Sequence, residues 1–386
     1  MQGLSEAYQE NCKAASIPPN EEFLNELQEL ENNSQATLDF RLDGGITYQK
    51  LEDRDFSVII DTLKKGGCIH SIKVPHNNLT DLILPGIAQL ISHSDSITEI
   101  DLSSNQFTAD GIKLLSESIS QSQSLTHLSF AYNDIGDEGC LLIINALRVN
   151  RTITNINLSN TGMTHNALTI LGSIIGQINR LKVIYIDTPY PKISPDVAAR
   201  RFLLSLRVND SIQELSLAGA RIGDDSAVHL ADALAENKTL TKLRIRSNSI
   251  SCVGAEKIAK ALKENKTLEV LDISGNRLGD KGAEAFAEML VKNSHLQRLD
   301  LQLNGIHGVG LLAICKALPA NTSISDLCLW GNHFVDRSVM EEYAKLLEGP
   351  RAQTLLLDFT VHFSNDDEKN PYLARTAIED SPVVWE

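Results

Sequence analysis

The sequence predicts an α/β solenoid, a curved stack in which short parallel strands line the concave face and helices cover the convex one. Two observations carry this. The pattern aliphatic-x-x-aliphatic-x-aliphatic starts at Ile69 and recurs at Ile97, Leu125, Ile153, Leu181, Ile212, Leu240, Leu268, Leu296 and Ile324, in steps of 28 residues except for 31 from Leu181 to Ile212. Asparagine then fills the ninth position in seven of these ten units: Asn77, Asn105, Asn133, Asn248, Asn276, Asn304 and Asn332. A period of this length marks stacked units sharing one continuous core, so the 386 residues need not divide into several globular domains.

Each element follows from the period. The aliphatic positions make a short strand buried on one side, with the intervening side chains turned outward by alternation. After the strand the chain turns with its amides and carbonyls facing the interior, where unpaired groups are costly. An asparagine side chain brings both donors and an acceptor to that turn. A helix follows. Ala283, Phe286, Ala287 and Leu290 share one face at i, i+3, i+4 and i+7, as do Cys140, Ile143, Ile144 and Leu147. Asp137, Asp224 and Asp280 sit where helix N-caps are expected. Cys140 and Cys315 fall in slots that hold alanine next door, which makes them small buried fillers. This strand, asparagine turn and helix form a leucine-rich repeat signature.

The domain reading is a polar leader with a short amphipathic helix over 1–35, an N-terminal cap over 36–68, ten repeats over 69–351, and a final strand with an irregular tail over 352–386. Phe23, Leu27 and Leu30 mark the leader helix, and Leu355 and Leu357 the last strand. The middle is irregular: Thr161, Pro189 and Ala220 replace the asparagine in successive units, and the three-residue insertion at 187–196 is expected to leave as a rim loop.

The formal charge of -15 argues against a surface that tracks phosphates, and no apolar run reaches the ~20 residues of a spanning helix. The six cysteines form no paired motif, so neither a disulfide frame nor a zinc site is expected. The N-terminus lacks the features of a secretory signal, which leads to an intracellular expectation, cytoplasmic or nuclear. The sequons at Asn237 and Asn265 occupy matching repeat positions and read as repeat composition. No P-loop, HExxH or GxSxG motif occurs, and no nucleophile has a recognisable base. The expectation is therefore a non-enzymatic chain with no cofactor, metal, nucleic acid, membrane or small-molecule substrate, whose partner is another protein.

Partner contacts are expected among the outward strand side chains of the concave face: Tyr132, Tyr185, Lys242, Arg244, Arg246, Arg298, Asp300 and Trp330. Arg298 and Trp330 are read as a pair on adjacent strands, since arginine and aromatics dominate binding hot spots. The basic run on 242–246 has a second reading, in which it balances Asp272 and Asp300 across the strands. Tyr190 on the rim and Trp385 in the tail are further candidate contacts.

The uniform 28-residue unit with a full helix resembles the ribonuclease-inhibitor type of leucine-rich repeat over about 69–351. The cysteine-dense pattern of the inhibitor itself is absent. Within that type, "IYIDTPYP" at 184–191 and "ISDLCLWGNHF" at 324–334, followed by "EEYAKLL", resemble the leucine-rich repeat-containing protein 34 family. That resemblance implies an intracellular, non-enzymatic scaffold associated with the nucleolus or with testis and cilium. Two alternatives stand beside the scaffold reading. One is a structural part of an axonemal assembly held by its edges and tail; the other is a GTPase-activating protein acting through a rim arginine.

Overall fold

A computed structural model of the chain describes residues 3–32, 38–45, 50–66, 69–189, 195–364 and 370–376. They divide into two compact units, one of Met1–Ile174 with Ile178–Pro191, the other of Ile175–Gln177 with Lys192–Glu386. Each is a leucine-rich repeat solenoid.

Unit 1 runs α1 (Leu4–Ala15), α2 (Glu21–Asn32), β1 (Leu38–Arg41), α3 (Asp53–Leu63), β2 (Ile69–Lys73), α4 (Leu84–His93), β3 (Glu99–Asp101), α5 (Ala109–Gln121), β4 (His127–Ser129), α6 (Gly136–Val149), β5 (Asn155–Asn157), α7 (His165–Ile175) and β6 (Val183–Tyr185). Its strands pair in parallel in chain order, and from β2 onward the register steps by one repeat, as in Leu128 against Ile100 and Ile156. The first helix was not expected: α1 buries Leu4, Tyr8 and Cys12, and Tyr8 meets Phe23 of α2 edge to face with ring centroids 4.9 Å apart. The leader thus packs on β1, where Phe23 meets Phe40 with ring centroids 5.4 Å apart.

Unit 2 continues with α8 (Pro195–Ser205), β7 (Glu214–Ser216), α9 (Asp224–Glu236), β8 (Lys242–Arg244), α10 (Cys252–Leu262), β9 (Val270–Asp272), α11 (Gly279–Lys292), β10 (Arg298–Asp300), α12 (Gly308–Ala317), β11 (Asp326–Cys328), α13 (Arg337–Glu348) and β12 (Leu356–Leu357). Parallel pairing again follows chain order from β7 to β12. The tail then forms an antiparallel hairpin, β13 (Phe359–Phe363) with β14 (Pro371–Arg375), where aperiodic chain was expected. Phe359 is buried against Phe334 and Tyr343, so the hairpin covers the last repeat.

The aliphatic template is the core: Leu243, Ile245, Leu271, Ile273, Leu299 and Leu301 are all fully buried, each contributing ~1.5–3 kcal/mol on removal from water. Cys140 and Cys315 are buried fillers as expected, and burial pushes both thiols up to about 12.

Three side-chain ladders hold the repeats in register. In the first, Asn133 donates to the carbonyls of Leu102, Phe130 and Ala131 and accepts from the amides of Asn105 and Phe107, reaching back into the preceding repeat. The second lies at the other end of the strand. Asn150, Asn209, Asn237, Asn265, Asn293 and Asn321 are all buried. Asn237, for example, donates to Leu206 and Asn209 and accepts from Thr239 and Leu240. This burial fits repeat composition at the two sequons.

The third ladder corrects the N-cap reading. Asp137, Asp224 and Asp280 do not cap their own helices, which begin at Gly136, Asp224 and Gly279. Their carboxylates accept instead from the next repeat, from the amides of Thr164 at 2.6 Å, Ser251 at 2.8 Å and His307 at 2.8 Å. Asp224 and Asp280 also reach Gly254 and Gly310, free amides in the first turn of the neighbouring helix.

Candidate protein-binding face

On the face of unit 2 opposite the helices, each strand offers two or three outward side chains. Lys242 and Arg244 lie two residues apart on β8 and therefore point the same way. Glu214 stands opposite Lys242 in the β7–β8 register and takes both cations, Lys242 at 3.5 Å and the Arg244 guanidinium in a closer ion pair. The second sequence reading balanced these cations against Asp272 and Asp300. Glu214 pairs with both from one side, while Asp272 stands opposite Arg244 on the other, in the β8–β9 register. Arg246, beyond the strand end, is exposed and has no ion pair among the described residues.

Asp300 is half-buried and accepts the Gln302 amide at 2.9 Å. Burial, followed by the like charges of Asp272 and Asp358, pushes its carboxyl up to about 7, against the opposing pull of the Gln302 amide and Arg298. Arg298, also half-buried, stands opposite Asp326 in the β10–β11 register. That register separates it from Trp330, which is level with Gln302. The two residues paired in the sequence reading thus stand four positions apart along the strands.

The neighbour of Trp330 is Leu303. The Leu303 amide donates to the Trp330 carbonyl at 3.2 Å, and the Leu303 side chain lies over Gly331, where a Cβ would come within 2.4 Å of its Cδ2. Leu303 is 62% exposed and Trp330 half-buried, so the two form an apolar step on a charged face. Trp330 is fixed from behind: buried Asp358 accepts the amides of Leu329 at 2.8 Å and Trp330 at 2.9 Å, and the Gln302 side chain at 2.6 Å.

Leu303 was invisible in the sequence because its slot is defined by backbone conformation. The residue before the ladder asparagine adopts positive φ in repeat after repeat, at His76, Ser104, Tyr132, Asn160, Thr188, Gly219, Ser247, Gly275, Leu303 and Gly331. An L-residue there costs ~1–2 kcal/mol and points its side chain away from the core turn. Tyr132 occupies this slot in unit 1 and is 60% exposed, a position consistent with a contact residue. Tyr185 on β6 is only 8% exposed, which leaves a partner little of its ring. Tyr190 and Trp385 lie outside the described residues.

Unit 1 carries its own outward charges. Lys73 pairs with Glu99 at 2.9 Å, and burial lowers the His127 pKa against the pull of Glu99. Among the described residues no cluster of three or more His, Cys, Asp or Glu could hold a metal, and no helix is long and apolar enough to cross a membrane.

Comparison with known families finds two matches. The family described as "TMOD/LMOD Leucine-rich domain" matches residues 191–275, and "Leucine Rich repeat" matches 93–116, 121–143, 264–287 and 292–315. A search of the curated proteins gave no match. Among solved structures, "Leiomodin-1 Actin-Binding Site 2 (ABS2)" is similar at 25% identity, covering 38% of this chain and 85% of that one with a TM-score of 0.33. A chain of the "Crystal structure of Rad7 and Elc1 complex in yeast" is matched at 12% identity over 89% of this chain and 85% of that one with a TM-score of 0.48. The Caenorhabditis elegans tropomodulin C-terminal domain is matched at 15% identity over 40% and 92% with a TM-score of 0.34.

Proposed function

We propose that this leucine-rich repeat chain is a non-enzymatic scaffold that binds a protein partner on the helix-free face of unit 2. The observation that carries the reading is the apolar step of Leu303 and Trp330 just beyond β10 and β11, on strands that also carry Arg298, Asp300 and Asp326. An exposed leucine beside a half-buried tryptophan, with charges further along the same strands, is the composition of a binding hot spot. Arg244 and Lys242, held by Glu214, extend the face with oriented charge that sets the register of a partner. The likeness of 184–191 and 324–334 to the leucine-rich repeat-containing protein 34 family supports an intracellular setting, nucleolar or ciliary, for this scaffold.

Quantitative co-purification from the same cells with wild type, Leu303→Asp and Trp330→Ala tests the proposal. Specific partners should drop together with both variants while an Arg148→Ala control on α6 keeps them. Full retention by Leu303→Asp would refute the assignment of this face.

A further inference from the structure

We infer that unit 2 carries a second contact on its rim, an anion-accepting surface of Arg221, Arg246 and Arg277 that takes an acidic stretch of polypeptide. It rests on the protein-binding reading above and adds a separate site with its own ligand chemistry. The three arginines are exposed and none is in an ion pair or side-chain hydrogen bond among the described residues. They come from three successive repeats, Arg246 two residues beyond β8 and Arg221 and Arg277 five residues beyond β7 and β9. Backbone bonds bring these turns together: Gly219 N–H to Arg246 O at 2.9 Å, Ser249 N–H to Ile222 O at 2.8 Å, and Arg277 N–H to Ile250 O at 2.9 Å.

Between the arginines the floor is small. Gly219, Ser247 and Gly275 fill the positive-φ slot in these three repeats, and a Cβ on Gly275 would already stand 3.2 Å from the Ser247 hydroxyl. No large side chain therefore stands in this slot between the three arginines. Arg221 adds a conformational argument. Gly162 and Gly305 hold positive φ in the slot after the ladder position, and Arg221 holds φ 56 in the same slot without being glycine. Backbone strain kept by an unpaired arginine, in a slot where the two other repeats with positive φ carry glycine, points to a use for that side chain.

The span identifies the ligand. At ~4.8 Å per strand, Arg221 and Arg277 are separated by about 10 Å of sheet, the length of about three residues of extended polypeptide. A duplex nucleic acid presents a charge every ~1.7 Å and would run on past this patch. Its continuation along the sheet past β9 would meet Asp300 and Asp326. A short run of Asp, Glu or phosphoserine fits the arginines and stops before those carboxylates, and guanidiniums match carboxylate and phosphate geometry.

The test is fluorescence anisotropy of the full chain with a labelled hexaglutamate peptide at low salt. Wild type should bind, and Arg221→Gln/Arg246→Gln/Arg277→Gln with an unchanged unfolding midpoint should lose about tenfold or more in affinity. Arg246→Glu alone should give a loss of the same sign and serves if the triple variant is unstable. Trp330→Ala, which adds no charge near the arginines, should bind the peptide as wild type does, so failure of the rim and failure of the helix-free face are separately visible. No binding by wild type, equal binding by wild type and the triple variant, or tighter binding of a single-stranded oligothymidine than of the peptide would overturn the inference.

Discussion

Arg180 donates its guanidinium to the carbonyl oxygen of Leu147, where the repeat pattern calls for an asparagine. In the second ladder Asn150 reaches the Ile119 carbonyl, 31 residues back. The same slot in the next repeat holds Ile178, whose equivalent acceptor is Leu147. An arginine two residues on thus supplies the missing donor, at the expense of burying a cation whose Nε has no partner. Arg180→Ala should leave the Leu147 carbonyl unpaired and cost ~1–3 kcal/mol, and adding Ile178→Asn should recover part of the loss. Urea unfolding midpoints of the two variants, compared at constant slope, check this.

The intact second ladder gives the matching expectation. Asn237→Ala removes donors from two buried carbonyls and an acceptor from two amides, and should destabilise unit 2 by ~2–4 kcal/mol. Hydrogen exchange should report the loss first around residues 206–212 and 237–240.

Asp358 closes the last repeat by accepting amides that a following repeat would otherwise satisfy. Asp358→Ala should cost ~2–3 kcal/mol and loosen Trp330. In a Trp385→Phe background, which leaves one tryptophan, acrylamide quenching should rise for Asp358→Ala. Unchanged quenching would separate Asp358 from the positioning of Trp330.

Asp300 gives a pH dependence with a definite sign. Its carboxyl is raised to about 7 in the fold, so the folded state binds the proton more tightly than the unfolded chain. Ionisation above about 7 therefore costs stability, and the cost disappears as pH falls from there toward the ordinary carboxylate range. Asp300→Asn should raise stability by ~1–2 kcal/mol at pH 8 and make little difference below about pH 4. Thermal unfolding of both proteins across that range measures the difference.

Leu303→Gly separates folding from binding. Glycine accepts φ 53 without the ~1–2 kcal/mol of an L-residue, offset in part by its larger unfolded-state entropy. Stability should be unchanged or higher by up to ~1 kcal/mol while partner capture falls. A variant that loses stability and keeps its partners would contradict both halves of the reading.

Much of this was legible because it repeats. The strands, the buried helix faces and the asparagine turn all recur at 28 residues, and a contact made between one repeat and the next leaves the same trace in the sequence each time. The misassigned aspartates show the limit of that reading. Their period was plain, but a cap on the same helix and a cap on the next one leave an identical pattern. The offset between Arg298 and Trp330 was hidden for a related reason. Both are outward positions on adjacent repeats, and only the register sets Arg298 opposite Asp326.

By itself the sequence determined the unit, its strand and helix, the residues of the core, and the side of each strand left to face outward. Periodic burial forces those choices, since a shift of register would put the aliphatics in water. Tertiary structure decided what happens once only: Glu214 as the counter-charge of Lys242 and Arg244, Arg180 in place of an asparagine, Asp358 and the terminal hairpin as a cap, and Leu303 and Arg221 turned outward by left-handed backbone. Such contacts depend on which side chain geometry brings within reach of a particular group. A single occurrence leaves no period to be read.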